Sequence, residues 1–254
     1  MKGVAFQKHS AEVKRKEFCM KKKMLAACIA ACALALVAGC SSGGGDDGGS
    51  ELPGIEYDAA KWVIEGTTVV RYTGAEADVR IPDGVTIIGE SAFYKCESLK
   101  SVTIPASVTS IGDNAFYYCT SLASVTIPGS VTSIGSWAFE RCKSLKSVTI
   151  PGSVTSIGES AFRDCESLES VTIPGSVESI GRSAFAVCTS LKSVTIGDGV
   201  KNIGDFAFSG CTSLAEVKYG GTAEQWKQID IGSNVFLSVA NAKIYDKEGK
   251  EITE

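Results

Sequence analysis

Between Val85 and Leu214 the apolar positions recur every 23 residues, and the period never slips. One copy shows the pattern: Val108, Ile111, Ala115, Phe116, Cys119, Leu122, Val125 and Ile127 are apolar, with mostly small or polar residues between them. Phe93, Phe116, Phe139, Phe162, Phe185 and Phe208 form one column, and Cys96, Cys119, Cys142, Cys165, Cys188 and Cys211 form another. A fixed period in the twenties is the mark of a solenoid whose units bury their apolar faces only by stacking. In each copy the alternation Ser101-Val102-Thr103-Ile104 predicts a short strand with Val102 and Ile104 inward and Ser101 and Thr103 outward. Pro105 ends it, because proline has no N–H to extend a ladder. The triplets from Val79–Ile81 to Val217–Tyr219 are therefore expected to stack as a single parallel sheet, rising about 4.8 Å per turn. The return path, Val108 to Phe116, has a spacing that fits neither strand nor long helix. It is expected as an irregular convex side with at most a helical turn over Asp113 to Phe116, Gly112 allowing a sharp bend.

One 23-residue copy has too few apolar side chains to offset the entropy of ordering it, so the stack needs closed ends. At the front, Trp62-Val63-Ile64 and Val69-Val70-Arg71-Tyr72 flank Glu65-Gly66-Thr67, which predicts a β-hairpin cap. At the back, Thr222-Ala223-Glu224-Gln225 has the capping-box pattern of a short helix. Ile231-Gly232-x-x-Val235-Phe236 is a degraded echo of the repeat. Lys243-Ile244-Tyr245 reads as a last strand and Gly249 as a terminal turn. The resulting division is an N-terminal cap at 55–78, six repeats with flanking strands at 79–219 and a C-terminal cap at 220–254.

Ahead of the caps lies a segment of another kind. Lys21-Lys22-Lys23 precedes an apolar run from Met24 to Ala38, too short for a comfortable membrane span and typical of a cleaved secretory signal. Residues 1–39 read as signal peptide, with 1–19 a candidate mis-called extension ahead of Met20. Val37-Ala38-Gly39-Cys40 resembles a bacterial lipobox, which implies a lipid on Cys40 and an anchored chain that does not span the bilayer. The Gly/Ser/Asp-rich stretch through residue 54 then reads as a flexible tether.

Removing the signal takes eight of the 25 Lys/Arg and two of the 29 Asp/Glu, leaving 17 basic and 27 acidic residues. That balance offers no footprint for nucleic acid. His9, the only histidine, is removed as well. No Ser-His-Asp or Cys-His catalysis remains to be built, and no enzyme activity, cofactor or metal is expected.

The motif Leu99-x-x-Val102-x-Ile104-Pro105-x-x-Val108-x-x-Ile111-Gly112-x-x-Ala115-Phe116-x-x-Cys119 resembles the BspA-type, or Treponema pallidum-type, leucine-rich repeat. The resemblance runs from about Trp62 to the carboxy terminus and extends to the Val69–Gly74 and Gly221–Trp226 flanks. It implies a cell-surface or secreted binding protein, often linked to adhesion to host matrix proteins or other microbes, with no catalytic residues to carry over. Two departures stand out. Gly197 follows Ile196 where proline is usual, and Ser107, Ser130, Ser153 and Ser176 stand where ordinary leucine-rich repeats carry an asparagine ladder.

Three sets of residues are candidates for chemistry. The cysteine column falls in the apolar register, so its thiols are expected to be buried, reduced and inert. The Ser/Thr columns of the strands could in principle order water, but threonine on a solvated strand is the plainer reading. The positions after each glycine and each phenylalanine vary between copies, and there Tyr94, Tyr117, Tyr118 and Trp137 fall in consecutive repeats. They either shield the loop or form an aromatic edge that anchors a partner. The sequence thus points to a lipid-anchored solenoid on the outer surface of a bacterial cell that binds a protein or glycan. The alternative is a structural envelope lipoprotein without a soluble ligand, and the oligomeric state is left open.

Overall fold

The computed structural model describes residues 57–239 and 242–253. Cys40 and the segments expected to be the signal peptide and the tether lie outside the described residues. The described chain winds as a coil of parallel strands, two strands to a turn, with almost no helix.

The front sheet has eight parallel strands. It begins with Asp78–Arg80, Ser101–Thr103 and Ser124–Thr126 and ends with Glu216–Tyr219 and Lys243–Tyr245. Its register is set by the 23-residue period: Val102 lies opposite Val79 and Val125. Val102 and Ile104 are buried and Thr103 is exposed, as the alternation predicts. Three strands, Ser170–Ile173, Ser193–Ile196 and Glu216–Tyr219, lengthen to four residues. Gly197 supplies the reason, since it restores the N–H that proline lacks and donates to the Ile173 carbonyl at 2.8 Å.

The return side is more regular than expected. Two-residue strands such as Ser110–Ile111 and Ser133–Ile134 pair in parallel from turn to turn, and with the cap hairpin they make a second sheet of nine strands. Each inward isoleucine stacks on the next, so their backbones arrive at ladder distance even though the strand is too short to show a period in sequence. Gly112 and its equivalents are needed here for a reason other than the expected bend. None has a positive φ. A Cβ on Gly135 would sit 2.6 Å from the Gly112 carbonyl carbon, so glycine permits close approach of successive turns. In place of a helical turn, Gly112 to Cys119 forms a chain of tight turns, with Tyr117 donating to Asn114 at 3.0 Å and Cys119 to Phe116 at 3.2 Å.

The core is a set of one-dimensional stacks. The six repeat phenylalanines lie ring over ring at 4.8–5.4 Å with interplanar angles of 4–12°. Tyr72 and Trp62 close the front of this stack, and Phe236 extends it at the back. Beside it runs the cysteine column, all six thiols free. The Cys119 thiol donates to the Phe93 carbonyl one turn earlier at 3.1 Å, and the next four cysteines repeat the contact. Cys96 departs from the expected burial: no repeat precedes it, and it is only half-buried. The serines at the ladder position bond across turns, Ser130 Oγ to the Val108 carbonyl at 2.5 Å and Ser153 Oγ to that of Val131 at 2.6 Å.

Both caps take the expected form. Trp62–Glu65 and Thr68–Tyr72 pair antiparallel around Gly66, whose φ of 59° suits the turn. Ala223–Trp226 is a one-turn helix with both halves of the capping box made by Thr222 and Gln225, and Trp226 packs edge-on against Tyr219. Beyond the Lys243–Tyr245 strand the chain doubles back, Ile252 donating to the Ile244 carbonyl at 2.7 Å.

Candidate partner-binding edge

The corner between the return strand and the phenylalanine has an unusual backbone. Two residues in every turn have left-handed φ values, and only one of them, Gly210, is glycine. The first column holds Ser91, Asn114, Trp137, Ser160, Ser183, Phe206 and Asn234, and the second holds Lys95, Tyr118, Arg141, Asp164, Val187, Gly210 and Ser238. The conformation turns their N–H groups along the solenoid axis. Asn114, Phe116 and Tyr118 donate to Ser136, Ala138 and Glu140 of the next turn at 2.7–2.9 Å. A third ladder thus holds the corner together, and it presents the side chains of the left-handed residues at its rim.

Tyr94 is 45% exposed and stacks on Tyr117, with ring centroids 5.4 Å apart and planes 9° apart. Tyr118 lies 6.2 Å from Tyr117. Cations cover the rings at either end: Lys95 Nζ is 5.3 Å from the Tyr94 centroid and the Arg141 guanidinium 5.8 Å from that of Tyr118. The three tyrosines expected along one edge are therefore a single cluster. Trp137, the fourth, belongs to the first left-handed column, half-buried and not in ring contact with the tyrosines among the described residues.

Next along the edge comes a charged belt. Asp164 faces Arg141 at 3.6 Å and Arg163 at 3.9 Å. Glu140 occupies the column of Tyr94 and Tyr117, but its side chain is only 6% exposed. Burial raises its carboxyl above the ordinary value, against the pull of Arg163. Nothing in the sequence distinguished Glu140 from the solvated acids around it, because its burial depends on the neighbouring turns. Burial drives thiols upward too: Cys96 to about 11, and Cys119, Cys142, Cys165 and Cys188 further, which leaves these five poor nucleophiles.

A second polar cluster lies at the front cap. Tyr72 donates its hydroxyl to Glu76, and Lys61 pairs with Glu76 and with Asp58. The Lys61 hydrogen bond, with that of Tyr72, pulls the Glu76 carboxyl down to about 2, while burial first and then Glu76 push Tyr72 up to about 12. These groups line a shallow cavity of about 180 Å³ beside Asp78 and Arg80, on the outer edge of the first front strand.

With the repeat geometry established, the comparisons are direct. The family model for the BspA type leucine rich repeat region matches the chain in six copies, over residues 71–191 and 156–247. The chain belongs to this family. Among solved structures, the Treponema pallidum leucine-rich repeat protein is 35% identical over 72% of this chain and 88% of its own, with a TM-score of 0.65. A leucine-rich repeat protein from Bacteroides ovatus is 29% identical with a TM-score of 0.59, covering 75% of this chain; the match spans about half of that protein, 52%. No curated protein sequence matches. The BspA-type repeat, like leucine-rich repeats in general, is a scaffold for protein interaction, and this chain shares its fold and family.

Proposed function

We propose that this BspA-type chain is a binding module displayed on the outside of a bacterial cell. A lipid on Cys40 anchors it, residues 40–54 tether it, and the edge carrying Tyr94, Tyr117, Tyr118 and Trp137 engages a protein or glycan of host or microbial surfaces. The observation that carries the reading is the tyrosine cluster, Tyr94 exposed and Tyr117 and Tyr118 half-buried, with cations over its outer rings. Equivalent positions in later turns hold Ala186 and Ser209, so the corner itself does not need aromatics. Affinity at protein surfaces concentrates in such aromatic and arginine groups.

The test uses the soluble domain from residue 51 onward against purified extracellular-matrix proteins and intact cells of neighbouring species. Replacing the four aromatics with serine is expected to weaken saturable binding at least tenfold without lowering the melting temperature. A collapse in stability instead would make them shields of the core. For the anchor, mass spectrometry of the native protein should find an acylated peptide beginning at Cys40, and Cys40→Ala should release the chain from the membrane fraction. An unmodified amino terminus elsewhere would rule the anchor out.

A further inference from the structure

We infer that the binding edge is bipartite and takes an extended polypeptide segment: the tyrosine cluster and Trp137 form one anchor point, and Val187 with Phe206 and Arg182 form a second. The inference rests on the edge reading proposed above and adds to it a second anchor and a class of partner.

The left-handed columns carry the argument. A side chain with a Cβ is disfavoured at φ near +60°, least so for asparagine and most for bulky or β-branched residues. In the first column five of seven turns use serine or asparagine, and in the second one uses glycine. Against that internal standard Tyr118 (φ 63°), Trp137 (φ 57°), Val187 (φ 62°) and Phe206 (φ 59°) are the costly choices, although nothing in the backbone ladder requires them. Non-glycine residues in sparsely populated conformations persist where another interaction uses them. Phe206 lies in the same column as Trp137, three turns further on, and the Arg182 guanidinium stands 5.9 Å over its ring. Between the two apolar groups lies the belt of Arg141, Arg163 and Asp164. The edge thus reads apolar, charged, apolar.

Its dimensions match an extended chain. Three turns at about 4.8 Å separate Trp137 from Phe206 by about 14 Å, the length of about four extended residues. A segment with two apolar clusters and a polar centre would satisfy both anchors and the belt. A carboxylate beyond the second cluster can bond Arg182, because a guanidinium stacked on a ring keeps its in-plane N–H donors free.

Ring orientation decides against a glycan platform. Tyr94 and Tyr117 are stacked nearly parallel on successive turns, so each ring covers a face of the other and what the pair offers a partner is mainly its ring edges. Recognition of a pyranose needs an open ring face. Ring edges and hydroxyls instead suit the side chains and carbonyls of a polypeptide.

The experiment compares the soluble domain with Trp137→Asn, Phe206→Asn and Tyr94→Ser/Tyr117→Ser, using a displayed library of random fifteen-residue peptides and an array of defined oligosaccharides. Asparagine already stands at 114 and 234, so both column variants keep the backbone. Peptides selected on the parent domain should carry two apolar clusters about four residues apart, and either asparagine variant should weaken them at least tenfold while melting no lower than the parent. If Phe206→Asn leaves affinity unchanged while the tyrosine variant weakens it, the edge binds but the second anchor is wrong. Binding of oligosaccharides that the tyrosine variant abolishes would overturn the polypeptide class. Peptide binding indifferent to all three variants, or no binding to either probe, would remove the edge reading together with this one.

Discussion

Val187 isolates what the corner demands of a single residue. It is β-branched, half-buried and left-handed, at a position where the next turn has Gly210. Val187→Asn should relieve the backbone and stabilise the fold by about 0.5–1 kcal/mol, seen as a rise in melting temperature. A drop would mean that the packing of the isopropyl group over the loop outweighs the strain. The cysteines make a second residue-scale case. Their column is uniform in sequence, yet Cys96 is half-buried and, among the described residues, lacks the carbonyl partner that each later thiol finds one turn back. Thiol labelling of the native domain should therefore modify Cys96 first, and the other five only at the rate of unfolding. Rapid labelling of Cys142 or Cys165 would contradict the register of the stack.

At the level of elements, each stack is a chain of identical contacts, and interrupting it in the middle differs from interrupting it at an end. Phe139 is fully buried between Phe116 and Phe162. Phe139→Ala should cost about 3–5 kcal/mol, because turns locked by three hydrogen-bonded ladders cannot collapse into the space; chemical denaturation measures it. The front cap responds to pH instead. Glu76 has its carboxyl pulled from the usual 4.5 to about 2 by Lys61 and Tyr72. A depressed carboxylate stabilises the fold above its unfolded pKa, and that contribution fades as pH falls from about 4.5 through about 2. The group is exposed, so solvent screens the effect and it should be modest. Glu76→Gln should flatten the acid limb of the stability curve; an unchanged limb would show that the pairing contributes nothing in solution.

For the molecule as a whole, the solenoid is close to a one-dimensional array in which each turn contacts only its neighbours. Deleting residues 128–150, one complete repeat, joins Ile127 to Pro151 and restores the same sequence phase. The shortened domain should keep its circular dichroism spectrum and lose only part of its stability. Deleting residues 128–145, which breaks the phase, should leave it unfolded or aggregated. Equal behaviour of the two deletions would argue against stacking as the source of stability. The edge proposals belong to this scale too, since no single turn contains an anchor pair.

Much of this fold was legible because periodicity is a property of sequence. The 23-residue spacing dictates which side chains face inward, the parallel register of the front sheet and the need for caps, and it does so whatever the details of the turns. The caps were legible for a local reason: Gly66 in a hairpin turn and the Thr222/Gln225 capping box act over a few residues. What tertiary structure alone decided are the contacts between residues one turn apart. The second sheet, the role of Gly112 in close approach, the thiol-to-carbonyl bonds and the burial of Glu140 all arise when stacked turns come within ladder distance. The left-handed columns belong to this group as well. Tyr118, Trp137 and Phe206 carry no local signal for a positive φ, and they adopt it because the corner ladder needs their N–H groups turned along the axis. The sequence could show that the edge varies; only the stacked backbone shows which of its aromatics are held there against their own preference.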